Sequence, residues 1–436
     1  MAPGQSRDQN GRLILGGNAA DRLAEAYGTP LLVVDLSVVD GAIDALTRCA
    51  GQDCALEVAY AAKAFATVEF IRHLARRAIG LDVCSLGELI TAERAGFRAE
   101  RLTLHGAGKT DDELRAACSG RLGCIAVDGV EELARLARLS QDGCSARVIL
   151  RLNVGIEART HAFVRTGGDD TKFGIHPRDE SVAAALLRAN PQLRFVGLHA
   201  HIGSQIYDAE PFVANAMALV AAAERFARLG FCTERLVIGG GFGVQTRPNA
   251  PDESLDLTGT VAAVTKCVAT QTREHGLAMP KLGIEPGRAV VALAGTTLYR
   301  VLAVKRQSRR TFVVVDGGIA ENPRPALYGA RHHVLSVENS LDREEMTLCG
   351  RSCENDELGI VFLPRDVREG DLLAMCATGA YTYSMAGNYN RFPRPAVVGV
   401  SNGAHRLLAR RESIDQVLGN DVSDAGDASG LLRGAF

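Results

Sequence analysis

A chain of 436 residues, 47% hydrophobic and 23% charged, has the composition of a soluble globular enzyme and is too long for one ordinary compact core. Its formal net charge of −2 gives no electrostatic reason to expect nucleic acid or an anionic membrane as a partner, and no run approaches the roughly eighteen apolar residues of a membrane span. Eleven cysteines, an odd number without a CxxC pair, favour reduced thiols in a cytoplasm over a disulfide framework or a zinc site.

The opening MAPGQSRDQNGRL has no apolar stretch of the kind a secretory signal carries. TPLLVVD (29–35) reads as a strand. From about residue 37 to 290, short apolar runs alternate with amphipathic stretches. The runs are LEVAYAA (56–62), GLDVCS (80–85), LTLHG (102–106), CIAVD (124–128), VILRLN (148–153), FVGLHAHIG (195–203), RLVIGGG (235–241) and LGIEPG (282–287). VEFIRHLARRA (68–78), GELITAERAG (87–96), DDELRAAC (111–118) and EELARLARL (131–139) repeat apolar residues at three- and four-residue steps, which predicts helices. Near-continuous apolar strands alternating with helices imply parallel strands covered on both faces. Eight such units predict an α/β fold, a (β/α)8 TIM barrel over residues 37–289, with a doubly wound open sheet as the alternative.

Beyond residue 290 the pattern changes. VVALAGTTLYRVLAVKR (290–306), TFVVVDGG (311–318) and DLLAMCATGAY (371–381) are rich in Val, Thr and Leu with turn residues close by, which predicts a mainly antiparallel β-domain from residues 10–36 and 290–412. The polar tail, 413–436, is expected to be poorly ordered. Cys118, Cys232 and Cys267 stand in apolar surroundings and read as core fillers.

A barrel builds its active site at the C-terminal ends of its strands, and polar residues fall there repeatedly. Lys63 ends the first run, Asp82 and Ser85 lie in the second, and His105 ends the third; Arg151 and Asn153 follow the fifth. The sixth holds His199 and His201 with Ser204 just after it, the seventh ends in Gly239, Gly240 and Gly241, and the eighth closes with Glu285 and then Arg288. Each alone has an ordinary explanation: a strand-end lysine with its stem on apolar surface, a carboxylate for a nearby arginine, a glycine run that is only a turn. Together they supply a Schiff-base amine, a cradle of N–H groups for a phosphate, a carboxylate for a pyridine nitrogen and an imidazole to stack on a ring. One cofactor, pyridoxal 5′-phosphate, uses all four. A dinucleotide is not favoured, because GGGFG leads into QTRPNAP rather than into a helix.

From about residue 27 to 400 the chain resembles the fold-type III pyridoxal-dependent decarboxylases, and most closely the bacterial diaminopimelate decarboxylases. The resemblance is carried, in order, by YAAKAF, LDVCSLGEL, HGAGKTDDEL, RLNVGIEARTHAFVRTGGDDTKFGI, HAHIGSQ, GGGFG, EPGR, NPRPALYGAR, GRSCENDEL and GAYTYSMAGNYNRFPRP. It implies the decarboxylation of meso-diaminopimelate to L-lysine and CO2, a step of lysine biosynthesis, by a cytoplasmic homodimer whose active sites are shared across the interface. Moved over position by position, it implies that Lys63 carries the cofactor and His201 stacks on its ring. Asp82 lines the cofactor site, Ser204 and Gly239 to Gly241 hold the phosphate, and Glu285 meets the pyridine nitrogen. Arg288, Arg324, Tyr328 and Glu354 then contact the substrate, Arg288 and Tyr381 serve cofactor and substrate together, and Cys353 is a proton donor delivered from the partner subunit. A thiol suits that role as a general acid toward a carbanion.

The chain departs from the family where CESGD is usual and it has Cys353, Glu354, Asn355, Asp356 and Glu357, and where HGAGK replaces HGNNK. These departures keep open a decarboxylase of the same frame acting on another amino acid, from specialised metabolism or tethered to a carrier. A racemase of the related barrel typically faces its pyridine nitrogen with an arginine rather than a Glu285. A cofactor-free Schiff-base aldolase leaves the glycine cradle unexplained, and a non-catalytic homologue that only binds partners is expected to lose Lys63 or Cys353. Cys349 and Cys353 have no further ligand nearby to complete a metal site, and His332 and His333 read as rim or interface residues.

Overall fold

The computed structural model describes residues 1–49, 54–140, 145–156, 171–247, 250, 255–338, 340 and 342–422. Eight parallel strands, Leu56–Ala61, Gly80–Val83, Leu102–Leu104, Cys124–Val127, Ala146–Arg151, Leu193–His199, Arg235–Val237 and Lys281–Ile284, close into a barrel. The eighth strand completes the ring by pairing with the first, Leu282 opposite Leu56 and Ile284 opposite Val58. The open-sheet alternative is thereby excluded. The strands read as unbroken apolar runs because both faces are covered: Val83, Val148, Leu150, Leu198 and Ile284 are all fully buried.

The helices start where side chains can cap them. Thr67 accepts from the N–H of Phe70 ahead of Val68–Ala75, and Ser85 accepts from that of Glu88 ahead of Leu86–Arg94. Thr110 and Glu113 form a reciprocal capping box at the start of Asp111–Cys118. The caps end the strand-to-helix turns within a few residues, so side chains at the C-terminal strand ends stand on a rigid rim. Ser85 is spent here as a cap.

The second sheet lies beside the barrel. Leu31–Asp35, the strand expected in TPLLVVD, is inserted between Gly295–Arg306, to which it runs antiparallel, and Ala396–Ser401, to which it runs parallel. Thr311–Val315 and Arg343–Cys349 form a second parallel pair, while Arg343–Cys349 with Glu357–Pro364, and Gly295–Arg306 with Leu372–Cys376, are antiparallel. Asp35 ends its strand by capping Leu36–Thr47, the helix that leads into the barrel. In the tail, Ser413 caps a short helix, Ile414–Leu418; residues 423–436, and 157–170 of the long family-like block, lie outside the described residues.

Among the cysteines singled out, Cys118 is buried, but Cys267 is half-buried and Cys232 exposed, since it falls in the turn after the long helix Glu210–Arg228 rather than on its inner face. The ten described cysteines are all free thiols. No described helix is long and apolar enough to cross a membrane.

Candidate active site

The C-terminal strand ends surround a cavity of about 270 Å³, open at its mouth, lined by Lys63, Asp82, His201, Ser204, Gly240, Gly241, Glu285, Arg288 and Tyr381, all anticipated from sequence. Lys63 stands in a single tight turn, Ala62–Ala64, after the first strand. Tyr381 reaches it from the β-domain: its backbone N–H donates to the carbonyl of Ala64 at 2.7 Å, and the Ser384 hydroxyl donates to the same oxygen at 3.1 Å. Tyr381 has a φ of 57°, a left-handed conformation that costs a non-glycine residue on the order of 1–2 kcal/mol. These bonds hold it there. Desolvation inside the open cavity works to lower the pKa of the Lys63 ammonium, but Tyr381, Cys84 and Glu285 outweigh it and the net shift is upward.

At the cavity floor, Glu285 sits between two imidazoles. His199 Nε2 lies 3.0 Å from Oε2 and His105 Nε2 lies 3.2 Å from Oε1, with Asp82 Oδ1 3.6 Å from the same His105 nitrogen. Burial alone would raise the Glu285 pKa, yet the two histidines hold it well below the ordinary range. Burial opposes a proton on His105, but Glu285 and Asp82 push its pKa up to about 9. Asp82, desolvated beside Glu285, rises to about 6. Burial leaves His199 neutral, at about 4. The floor therefore carries a fixed carboxylate charge beside one cationic ring.

Above it runs the glycine turn. Gly240 N–H donates to His201 Nδ1 at 3.1 Å, so His201 is a neutral imidazole with its proton on Nε2; burial, then the Lys63 charge, holds its pKa down. A Cβ on Gly240 would lie 2.2 Å from the Glu285 carbonyl oxygen, and one on Gly241, whose φ is +98°, would lie 2.2 Å from the oxygen of Gly203. Only glycine fits at either position. Gly239 is not on the cavity wall but packs behind it, where a Cβ would meet His201 Nδ1 at 2.6 Å.

Arg288 Nη2 donates to Ser204 Oγ at 3.3 Å, and its guanidinium lies 4.7 Å from the Tyr381 ring centre. Arg288 also lines an adjoining cavity of about 320 Å³ with Arg324 and Tyr328, so the residues anticipated for the substrate stand beside those anticipated for the cofactor. Arg288 and Arg324 are each only 8% exposed, and among the described residues neither forms an ion pair with a carboxylate. Burial, and then the neighbouring Arg288, lower the Arg324 pKa to about 10.

Cys353 and Glu354 are not brought to either cavity of this chain. Both are exposed, in the turn before Glu357–Pro364, where Glu354 accepts a hydrogen bond from the Tyr389 hydroxyl. The altered residues beside them have structural work. Asp356, at the position of the family's glycine, has a φ of 45° and is buried; its carboxylate accepts from the N–H groups of Ile319 at 2.7 Å and Ser352 at 3.2 Å. Aspartate tolerates the left-handed region better than most residues. Glu357 pairs with Arg310 at 3.0 Å. Asp356 and Glu357 thus anchor the turn, with Cys353 and Glu354 exposed at its tip.

Sequence reasoning placed His105, His199 and Arg151 at strand ends without a role; the fold gathers the two histidines onto Glu285 and sets Arg151 against Asp128 at 3.1 Å in the cavity wall. Cys84 and Phe173 line the cavity unannounced. Cys84 lies within the quoted GLDVCS run, one residue past the strand end. His332 is buried in the wall of the adjoining cavity, with Nδ1 3.0 Å from the Cys376 carbonyl.

Comparison with known proteins agrees with this geometry. A family model described as the pyridoxal binding domain of pyridoxal-dependent decarboxylases matches residues 41–292. Diaminopimelate decarboxylase of Actinosynnema pretiosum subsp. auranticum is 42% identical over 96% of this chain and 94% of its own. That of Bacillus subtilis (strain 168) is 40% identical over 96% and 97%. Among solved structures, diaminopimelate decarboxylase from M. jannaschii in complex with L-lysine superposes with a TM-score of 0.89 at 28% identity, covering 97% of this chain and 98% of that one. With a domain match over more than half its length and relatives aligned along nearly all of it, the chain belongs to the family of pyridoxal-dependent decarboxylases.

Proposed function

We propose that this chain is a pyridoxal 5′-phosphate-dependent carboxy-lyase that converts meso-diaminopimelate to L-lysine and CO2, as a cytoplasmic homodimer. The observation that carries the substrate reading is the pair of buried guanidiniums, Arg288 and Arg324, with no described carboxylate partner beside a lysine-bearing cavity. A buried charge without a counter-ion is costly, so these positions call for a ligand carboxylate remote from the reacting centre. Diaminopimelate has one; ornithine and lysine, as substrates reacting at their only carboxylate, do not. The similar decarboxylases and the neighbour holding L-lysine support the same reading.

The donor set fits the cofactor. The close-packed Gly240 and Gly241, Ser204 and the partly unpaired Arg288, whose buried Nε has no described partner, suit a phosphate. The ionised Glu285 suits a pyridine nitrogen, and Lys63 supplies the amine. When bound, the cofactor's protonated ring supplies the sink for the electron pair left at Cα as CO2 departs. In this reading Lys63 fixes the cofactor and His201, with Asp82 nearby, packs against the ring. Arg324, Tyr328 and Arg288 orient the far carboxylate, and Tyr381 closes the cavity from the β-domain side. Cys353 then delivers a proton to Cα and Glu354 meets the substrate, both from the partner subunit. Their exposure away from this chain's own cavities supports that assignment.

The substrate reading predicts rapid turnover of meso-diaminopimelate by the cofactor-loaded protein and little of L-ornithine or L-lysine. The reverse preference would sink it. The shared-site reading predicts complementation. Lys63→Ala and Cys353→Ala proteins should each be nearly inactive, with Cys353→Ala keeping its cofactor. Their equimolar mixture, after dissociation and reassociation, should recover about a quarter of wild-type activity, since half the dimers then hold one complete site. A mixture no more active than its parts would exclude sharing.

A further inference from the structure

Four strand ends converge on one carboxylate. Glu285 ends the eighth barrel strand, His105 the third, His199 the sixth, and Asp82 lies in the second. The two carboxylate oxygens face different rings: Oε2 lies 3.0 Å from His199 Nε2 and Oε1 lies 3.2 Å from His105 Nε2, and the ring centres stand 5.1 Å apart at 60°. An ionised carboxylate only accepts, so His199 donates through Nε2 and its Nδ1 is bare; Nδ1 indeed has no described partner. His105 is close enough for an ion pair but off the line of a hydrogen bond, and Asp82 Oδ2 is likewise unpartnered. Asp82 and His199 are buried and His105 and Glu285 are about nine-tenths covered, with Lys63, Cys84, Arg151 and His201 on the cavity side and Arg235 acting on Asp82.

A carboxylate in such a place has two ways to fail at holding a pyridine nitrogen: it can take up a proton, or it can turn away. His105 opposes the first and His199 the second. Resting on the function proposed above, we infer that His105 and His199 are positioning residues that grip Glu285 and present it to the pyridine nitrogen of the cofactor. They act on the cofactor only through Glu285, which sets them apart from residues that touch it.

The test uses apoprotein and two probes, pyridoxal 5′-phosphate and 1-deazapyridoxal 5′-phosphate, in which the ring nitrogen is replaced by carbon. His199→Phe and His105→Leu should each weaken binding of the natural cofactor roughly 10- to 100-fold, the size of one charged hydrogen bond, and should hardly change binding of the deaza compound. His199→Gln, which keeps a donor, should bind both nearly as wild type does, and covers the case in which the Phe variant fails to fold. In a Glu285→Gln background, His199→Phe should cost little more. Equal losses for both probes, or undiminished binding of the natural cofactor by His199→Phe and His105→Leu, would overturn the inference while leaving the proposed function standing. Wild-type apoprotein that takes up neither probe would instead remove the function on which the inference rests.

Discussion

A Lys63→Ala protein should fold, show no visible absorbance from a lysine-bound cofactor, and turn over substrate at least roughly a thousandfold more slowly than wild type. Folding should survive because the Lys63 side chain points into the cavity rather than the core, and the turn is already alanine on either side of it, Ala62 and Ala64, both buried. The loss should be large because no other described lysine lines this cavity. Lys109, the next lysine along the loops, is buried, its ammonium held by the carbonyls of Gly106 at 2.8 Å and Ala126 at 2.7 Å and by Glu132 at 2.8 Å. Borohydride reduction of the loaded wild-type protein should therefore fix the cofactor on the peptide that contains Lys63. Recovery of the label on another lysine, or ordinary turnover by the variant, would contradict the assignment.

Arg324→Met should separate function from stability. In the proposed substrate complex the guanidinium gains a counter-ion that no described residue supplies, and losing a buried charge pair of this kind costs roughly 2–4 kcal/mol, or about 30- to 1000-fold in kcat/KM, most of it in KM. The folded protein without substrate should not suffer in the same way. There Arg324 is buried, faces Arg288, and has the rings of Tyr328 and Tyr381, at 5.8 and 5.9 Å, with Tyr207 beyond them but no described carboxylate, against its charge. Methionine keeps the apolar stem and removes an uncompensated charge, which is commonly neutral or stabilising. The melting temperature of Arg324→Met should hold or rise while KM climbs. A fall of several degrees with unchanged KM would mean that the residue is structural.

The barrel was legible because its physics repeats along the chain. A parallel strand buried on both faces has to be apolar throughout, as Val148 and Leu150 are, and each helix announces itself by spacing and by a cap such as Thr110 with Glu113. Once the strand ends were known, so was the ring of side chains on the rim, because a barrel leaves them one place to go. The distances between strand ends were not legible. Nothing in LTLHG or FVGLHAHIG says that His105 and His199 meet on Glu285, since the third, sixth and eighth strands come together only on closure. His332 likewise meets a carbonyl of Cys376, 44 residues away. The turn from Cys353 to Glu357 showed the opposite limit. Its altered letters suggested altered chemistry, whereas Asp356 and Glu357 face Ile319, Ser352 and Arg310 and hold the turn itself.

The most direct measurement is the product balance of cofactor-loaded wild-type protein given meso-diaminopimelate. The account predicts L-lysine and CO2 in equal amounts, at an ordinary enzymatic rate, with no release of either in the absence of pyridoxal 5′-phosphate. A loaded protein, with its cofactor bound through Lys63, that yields neither product from meso-diaminopimelate would contradict it.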